Sequence, residues 1–333
     1  MRFSKKTLCD VLSKMLNKPI KRAEYEKTKL QGGTVGNVWF ISGTADGQPF
    51  KLVLKVQKKW ERYGDPLSWR REYDFYMSNF SAVFNDSLKW PNCYRVEMLD
   101  ENKYALWLEY IDGVSGIDLT NDMMEQAALE LGRLQGRLYA LNPEKLREFS
   151  NLSEKSFMKN YYLHYRSWHV VYDYIRSEKC ELPLHLRQMM IDIDENEADI
   201  FNRLEKLPVV LCHRDFWVTN IIYSDGKIGL IDWDTAGWGY FGEDMSSLIA
   251  DENDINKMHE NYRRCIPAYY KGFSEYADVS YITDNCVYEL ILLMFGYRMI
   301  ESFIFAETIE AKVLMVDTLQ KVYELSALPK FSL

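Results

Sequence analysis

The sequence predicts an α+β protein in two parts: a small five-stranded antiparallel sheet with one or two helices, then a larger helical region. Three observations predict this. Alternating apolar and polar residues with Gly-rich turns crowd the first third of the chain. Apolar residues at three- and four-residue steps dominate the rest. One strand-like island, at residues 209–212 and 227–231, interrupts the helical part. With 333 residues, 47% apolar and 27% charged, the chain has the makeup of a globular protein that buries its own core without staples. Aromatic residues, at 14%, supply much of that core.

The elements follow in order. Lys29 to Ile41, KLQGGTVGNVWFI, reads as strand, Gly-rich turn, strand, with Gly32, Gly33 and Gly36 in the turn. Phe50 to Val56 alternates as a third strand after the turn Ala45-Asp46-Gly47. Asp65-Pro66 is expected to open a helix reaching about Phe80, since proline suits a first helical turn. Tyr94 to Met98 and Tyr104 to Tyr110 read as two more strands, and Asp112-Gly113 marks the boundary. The expected domains are therefore 1–112 and 113–333. Beyond the boundary, Met124, Ala127, Leu131, Leu134, Leu138 and Leu141 lie on one helix face. Leu186 to Leu204 is a weaker amphipathic stretch, and residues 286–305 and 308–325 form a helical tail.

Net charge is −8 and uneven. Residues 210–260 hold ten acids and three bases, whereas residues 1–31 hold nine bases and three acids. An acidic window favours metal ions or amines over nucleic acid, whose phosphates need clustered Lys and Arg. Read blandly, it is a solvated acidic face. Six cysteines are scattered without a C-x-x-C pair, so neither a zinc site nor a disulfide framework is expected. No uncharged apolar run reaches the roughly 18 residues of a membrane span. A cytoplasmic protein with no membrane or nucleic-acid partner is the expectation; oligomeric state is left open.

The informative segment is VVLCHRDFWVTNIIYSDGKIGLIDWD, residues 209–234. It places Asp215 two residues after His213, Asn220 five further on and Asp232 twelve beyond that. Phosphoryl transfer needs these types. Mg²⁺ takes hard oxygen ligands, one or two from protein and the rest from phosphates and water. Asn220 and Asp232 offer an amide oxygen and a carboxylate, and Asp215 could take a proton from an attacking hydroxyl. Upstream, Lys55 sits on the third strand to hold phosphates, and Glu72 follows 17 residues later on a helix to hold that lysine. This is the order of parts in a kinase.

On HRDFWVTN, IDWD and GWGYFGEDMSSL the chain resembles the aminoglycoside phosphotransferase and choline kinase group, over residues 28–250. The resemblance implies a bilobal protein-kinase-like fold, with a β-rich nucleotide-binding N-lobe and a helical C-lobe carrying the catalytic loop and acceptor site. It implies Asp215 as catalytic base, Asn220 and Asp232 as Mg²⁺ ligands, and Lys55 on the α/β-phosphates, paired to Glu72. Gly33 and Gly36 would flank the phosphates. Leu108 to Ile111, with Glu109 and Ile111 foremost, would meet the base of ATP or GTP. Asp244 would brace the catalytic loop. The glycines do not spell G-x-G-x-x-G, Asp232 precedes Trp233-Asp234 rather than Phe-Gly, and no Ala-Pro-Glu or long activation segment follows. A small acceptor, amine-bearing given the acidic window, is therefore expected over a protein. The rivals are a silent nucleotide-binding module of the same fold and a kinase of a protein or polymer.

Other candidates carry two readings. Tyr161, Tyr165, Trp168 and Tyr172 share helical spacing; core packing is the better reading, a cation–π wall for an amine the alternative. Asp234 is a supporting acid or a polar loop residue. His213 reads as a loop brace, and His164 and His169 as packing or surface residues.

Overall fold

The computed structural model describes residues 3–30, 36–85, 87–141, 149, 151–167, 170–251, 254–282 and 286–328. In chain order the first elements are α1 (Lys5–Met15), β1 (Ala23–Lys29), β2 (Asn37–Ala45), β3 (Gln48–Lys58), α2 (Arg71–Met77), β4 (Leu88–Lys89), β5 (Cys93–Asp100) and β6 (Lys103–Glu109). Then come β7 (Val114–Ser115), α3 (Asn121–Ala140), α4 (Phe157–Ser167), α5 (Val170–Arg176), α6 (Leu184–Glu195), α7 (Glu197–Leu204), β8 (Val209–Cys212), β9 (Ile221–Ser224), β10 (Lys227–Leu230) and β11 (Gly237–Tyr240). Last are α8 (Glu243–Ala250), α9 (Met258–Ser274), α10 (Cys286–Ile291), a π-turn, α11 (Tyr297–Ile304) and α12 (Ile309–Leu325).

Two units form. The first joins residues Met1–Gly113 with Ser224–Asp234, and the second joins Val114–Tyr223 with Thr235–Leu333. A cut at 112/113 assigns Ser224–Asp234 to the helical part, whereas its contacts group it with the sheet.

The first unit is built on an antiparallel sheet in the order β1-β2-β3-β6-β5. Side chains alternate faces along a strand, so Leu52, Leu54 and Val56 of β3 join Ala105 and Trp107 of β6 on one face. There they pack on Leu8, Val11 and Leu12 of α1, which Ser4 caps through the Thr7 amide at 3.0 Å. Leu106 and Leu108 lie on the other face with Trp69 and Tyr104. Val53 packs there too, so its alternation partner Lys55 belongs to that same face. β10 pairs in parallel with β4, Ile228 opposite Leu88.

The helix expected from Asp65 starts later. Ser68–Arg70 is a 3₁₀ turn and α2 opens at Arg71. Asp65 stays outside the helix because both its carboxylate oxygens take the Arg71 guanidinium, at 2.7 and 2.9 Å. The amphipathic stretch from Leu186 to Leu204 is two helices, α6 and α7, parted at Asn196.

The second unit centres on α3, capped by Thr120, against α9. Small residues set their separation. A Cβ on Gly132 would overlap the Tyr269 carbonyl oxygen, and one on Gly136 would come within 2.6 Å of the Phe273 carbonyl oxygen. The near approach lets Tyr269 donate to Gln135 Oε1 at 2.6 Å. Gly132→Ala is expected to force the helices apart and cost about 1–3 kcal/mol, measured as a lower denaturant midpoint with unchanged m-value.

Candidate active site

Lys55 lies mid-strand, opposite Val38 and Leu106. Its ammonium donates to Glu72 Oε2, and to Asp232 Oδ1 at 2.7 Å. Glu72 is 3% exposed, in the first turn of α2. Its other oxygen accepts the Trp233 amide at 3.2 Å. Asp74, two residues further along α2, pairs with Arg70 at 2.8 Å. Burial opposes charge on Lys55, but Asp232 and Glu72 outweigh it and hold the ammonium well above its ordinary range. Burial also raises Glu72, against the pull of Lys55.

Asp232 has φ 65°, the left-handed region that non-glycine residues seldom occupy. Its neighbour explains how that is held. The Trp233 ring is buried among Phe80, Phe84 and Trp90, at centroid distances of 5.7, 5.1 and 5.8 Å. A buried indole here does the anchoring within the segment. Arg71 adds a bond to the Asp234 carbonyl at 2.6 Å. Burial and the Asp232 charge push the Asp234 carboxyl up to about 7, against Lys55 and Arg62. Its side chain is half-buried, 3.8 Å from the Arg62 guanidinium.

Of the other residues expected at the nucleotide, Gly36 has no room for a side chain. A Cβ would sit 2.6 Å from Gln57 Oε1 and 2.7 Å from the Val56 carbonyl oxygen. Gly33, with Gly32, lies outside the described residues. Glu109 ends β6; its amide donates to the Asn92 carbonyl at 2.8 Å, and its carboxylate takes Lys89 and Asn92. The Ile111 amide makes no hydrogen bond among the described residues, so it remains a donor.

In the second unit, β8 pairs with β11 and delivers the chain to the loop at 213–220. Asp215 Oδ2 accepts from Asn220 Nδ2 at 2.7 Å, and the same nitrogen donates to the Asp215 carbonyl at 2.9 Å. That fixes the amide and leaves Asn220 Oδ1 as an acceptor. Asp244, 1% exposed, braces the loop: it accepts the His213 amide at 2.9 Å, the Arg214 amide at 2.7 Å and Gln135 Nε2 at 2.9 Å. Thr235 donates to the His213 carbonyl at 2.6 Å.

Sequence reasoning missed Arg214, Glu243 and Gln135. Arg214 has φ 65°, and its guanidinium bonds Glu243 at 2.9 Å, Ser153 and the Trp238 carbonyl. The acidic pair Glu243-Asp244 after Gly242 was a legible signal for part of this. Gln135 carried none, because an amide on a helix face is ordinary.

Burial pushes the Asp244 carboxyl up to about 7, against the amides of Arg214 and His213. Its folded pKa thus exceeds the unfolded value of roughly 3.9. The native chain keeps a proton that the unfolded chain sheds between those values, so this group's stabilisation falls as pH rises from about 4 to 7. Asp244→Asn also turns an N–H toward backbone donors, a loss of about 1–3 kcal/mol. The variant is expected to be less stable throughout, with a shallower fall in denaturation midpoint between pH 4 and 7 than the parent.

A lysine–glutamate pair on a sheet and helix, an Asp–Asn pair on a braced loop, and an acid held at left-handed φ are the parts of a phosphoryl-transfer enzyme with a protein-kinase-like fold. The model of the phosphotransferase enzyme family, APH, matches residues 28–272. The chain belongs to that family and is a phosphotransferase. No curated protein matches it. Solved structures share the fold. The GDP and kanamycin complex of APH(2")-IIia is 13% identical with a TM-score of 0.59, covering 97% of this chain and 99% of that one. The choline kinase of Cryptosporidium parvum Iowa II is 16% identical with a TM-score of 0.58, covering 91% and 90%. A microcompartment-associated aminopropanol kinase is 12% identical with a TM-score of 0.55, covering 96% and 98%. Among the described residues no helix is long and apolar enough to cross a membrane.

Proposed function

We propose that the protein moves the γ-phosphoryl group of ATP or GTP to a hydroxyl of a small, amine-bearing molecule, with Mg²⁺. The observation that carries this is the bonding of Lys55 to both Glu72 and Asp232, three residues scattered over the chain. In this reading the first unit holds the nucleotide and the second holds the base and the acceptor. Lys55, kept charged by its carboxylates, meets the phosphates. Gly36 keeps side chains off the strand beside it, and the Ile111 amide meets the nucleotide base. Asp215 orients the acceptor hydroxyl and takes its proton.

Asn220 Oδ1 in the second unit and the Asp232 carboxylate in the first are each a hard oxygen donor of the kind Mg²⁺ takes, most of its ligands coming from phosphates and water. Bound there, the ion would neutralise phosphate oxygens. The relatives named for choline and aminopropanol, together with the acidic window, favour an amine on the acceptor. The test is nucleotide consumption across a panel of amino sugars and amino alcohols with Mg²⁺. Acceptor-dependent turnover is expected. Mg²⁺-dependent nucleotide binding without transfer to any member would support the silent module instead.

A further inference from the structure

The aromatic row on α4 and α5 packs on itself and its neighbours. Tyr161 stacks on Phe157 at 5.6 Å and meets Tyr165 edge-on at 4.5 Å, and Tyr172 meets Tyr162 at 6.3 Å. Trp168 and His169 lie outside the described residues. Unspent chemistry lies instead in the first unit. Buried polar groups are nearly always hydrogen-bonded. The Tyr104 hydroxyl, on a residue 0% exposed, has no hydrogen-bond partner among the described residues. A buried hydroxyl without a partner costs stability, and phenylalanine would fill the same space without that cost.

The surroundings of Tyr104 show what the hydroxyl can serve. In the antiparallel pairing of β3 with β6, Lys55 stands opposite Leu106 and Gln57 opposite Tyr104. Lys55 and Tyr104 are therefore diagonal neighbours on one face, a spacing that long and aromatic side chains bridge. The Tyr104 ring also packs on Tyr73, centroids 5.7 Å apart, and Tyr73 follows Glu72 in α2. Burial, then the Glu72 charge, raises the phenol well above its ordinary range, so it stays a proton donor.

Glu72 is the acceptor that stands to lose a donor. Its Oε2 takes the Lys55 ammonium and its Oε1 the Trp233 amide at 3.2 Å. A carboxylate oxygen has room for a second bond. Lys55 already divides itself between Glu72 and Asp232. An ammonium drawn toward phosphates gives less to Glu72, which at 3% exposure is too buried to turn to solvent. We propose that Tyr104 is a positioning residue: its hydroxyl donates to the Glu72 carboxylate as Lys55 turns to the nucleotide phosphates, and so holds Glu72, and through it Lys55, in place. This role rests on the proposed phosphoryl transfer and adds to it a residue outside the sequence motifs.

The test compares Tyr104→Phe with Ser68→Ala in the full chain. Ser68 is also 0% exposed with an unpartnered hydroxyl, but it sits in the 3₁₀ turn before α2 and has no part in the proposal. Without nucleotide, Tyr104→Phe should raise the denaturation midpoint, because an idle hydroxyl has gone. Calorimetric titration with Mg²⁺ and ATP, or GTP where the parent takes that nucleotide, should then show binding about tenfold weaker than the parent's, the worth of a hydrogen bond to a charged group. Ser68→Ala should bind as the parent does. A tyrosine that only props the fold would give the opposite pair of results, a lower midpoint and unchanged affinity. A Tyr104→Phe midpoint no higher than the parent's overturns the proposal. So does affinity within twofold of the parent, or an equal loss of affinity in Ser68→Ala. A parent that binds neither nucleotide overturns the kinase reading and this role together, whereas the other adverse results remove the role of Tyr104 and leave that reading standing.

Discussion

Asp215→Ala is expected to lower acceptor-dependent phosphoryl transfer by about 10²–10⁴-fold, the range for loss of a positioned general base. Asp215→Asn should do the same, because it keeps the shape but cannot take the proton. The fold should survive both changes. The loop is tied by Asp244 through the amides of His213 and Arg214, and by Thr235 through the His213 carbonyl. What Asp215 Oδ2 gives up is its bond from Asn220 Nδ2, worth about 0.5–1.5 kcal/mol net. Initial rates on the best acceptor from the panel, set beside melting curves, check this. Rates within twofold of the parent in a folded variant would remove Asp215 from the proposed role.

The largest stability loss is expected from Asp65→Ala. Arg71 is 1% exposed, and two of its bonds go to the two oxygens of Asp65, itself 6% exposed. Removing one partner of a buried pair leaves an uncompensated charge, at about 3–5 kcal/mol. Domains are stable by only about 5–15 kcal/mol, so this is a large fraction. Replacing both, as Asp65→Leu with Arg71→Met, should recover much of the loss, because the charges then leave together. Guanidinium unfolding of the three variants tests it. An Asp65→Ala midpoint equal to the parent's would mean that solvent reaches Arg71. The double variant should still weaken the site, since Arg71 also ties the Asp234 carbonyl beside Asp232.

Four of the five sheet strands were legible, from alternation at 50–56 and short apolar runs such as 104–108, whereas the first, expected from Lys29 onward, runs Ala23–Lys29, where mostly polar residues give no pattern. Boundaries were less legible. Asp65-Pro66 looks like a helix start in one dimension, but the Asp65 carboxylate is drawn to Arg71, which moves the start to Arg71. The helix at 5–15 escaped notice: Lys5, Lys6, Asp10 and Lys14 break up a short apolar stripe that only the sheet beneath it makes stable. The short strands β7, β9 and β11 were not anticipated, since two to four residues give no period to read.

By itself the sequence determined the run of candidate residues from His213 to Asp232, the order of lysine, glutamate and loop acids along the chain, and the sheet-then-helix plan. These are fixed by residue type and spacing, which chemistry constrains locally. Tertiary structure alone decided that Lys55 takes Asp232 as well as the expected Glu72, that Trp233 is the buried anchor of its segment, and that Gln135 reaches Asp244 because glycines let α3 approach α9. Each of these joins residues far apart in the chain. Their meeting depends on packing distances that no local pattern encodes.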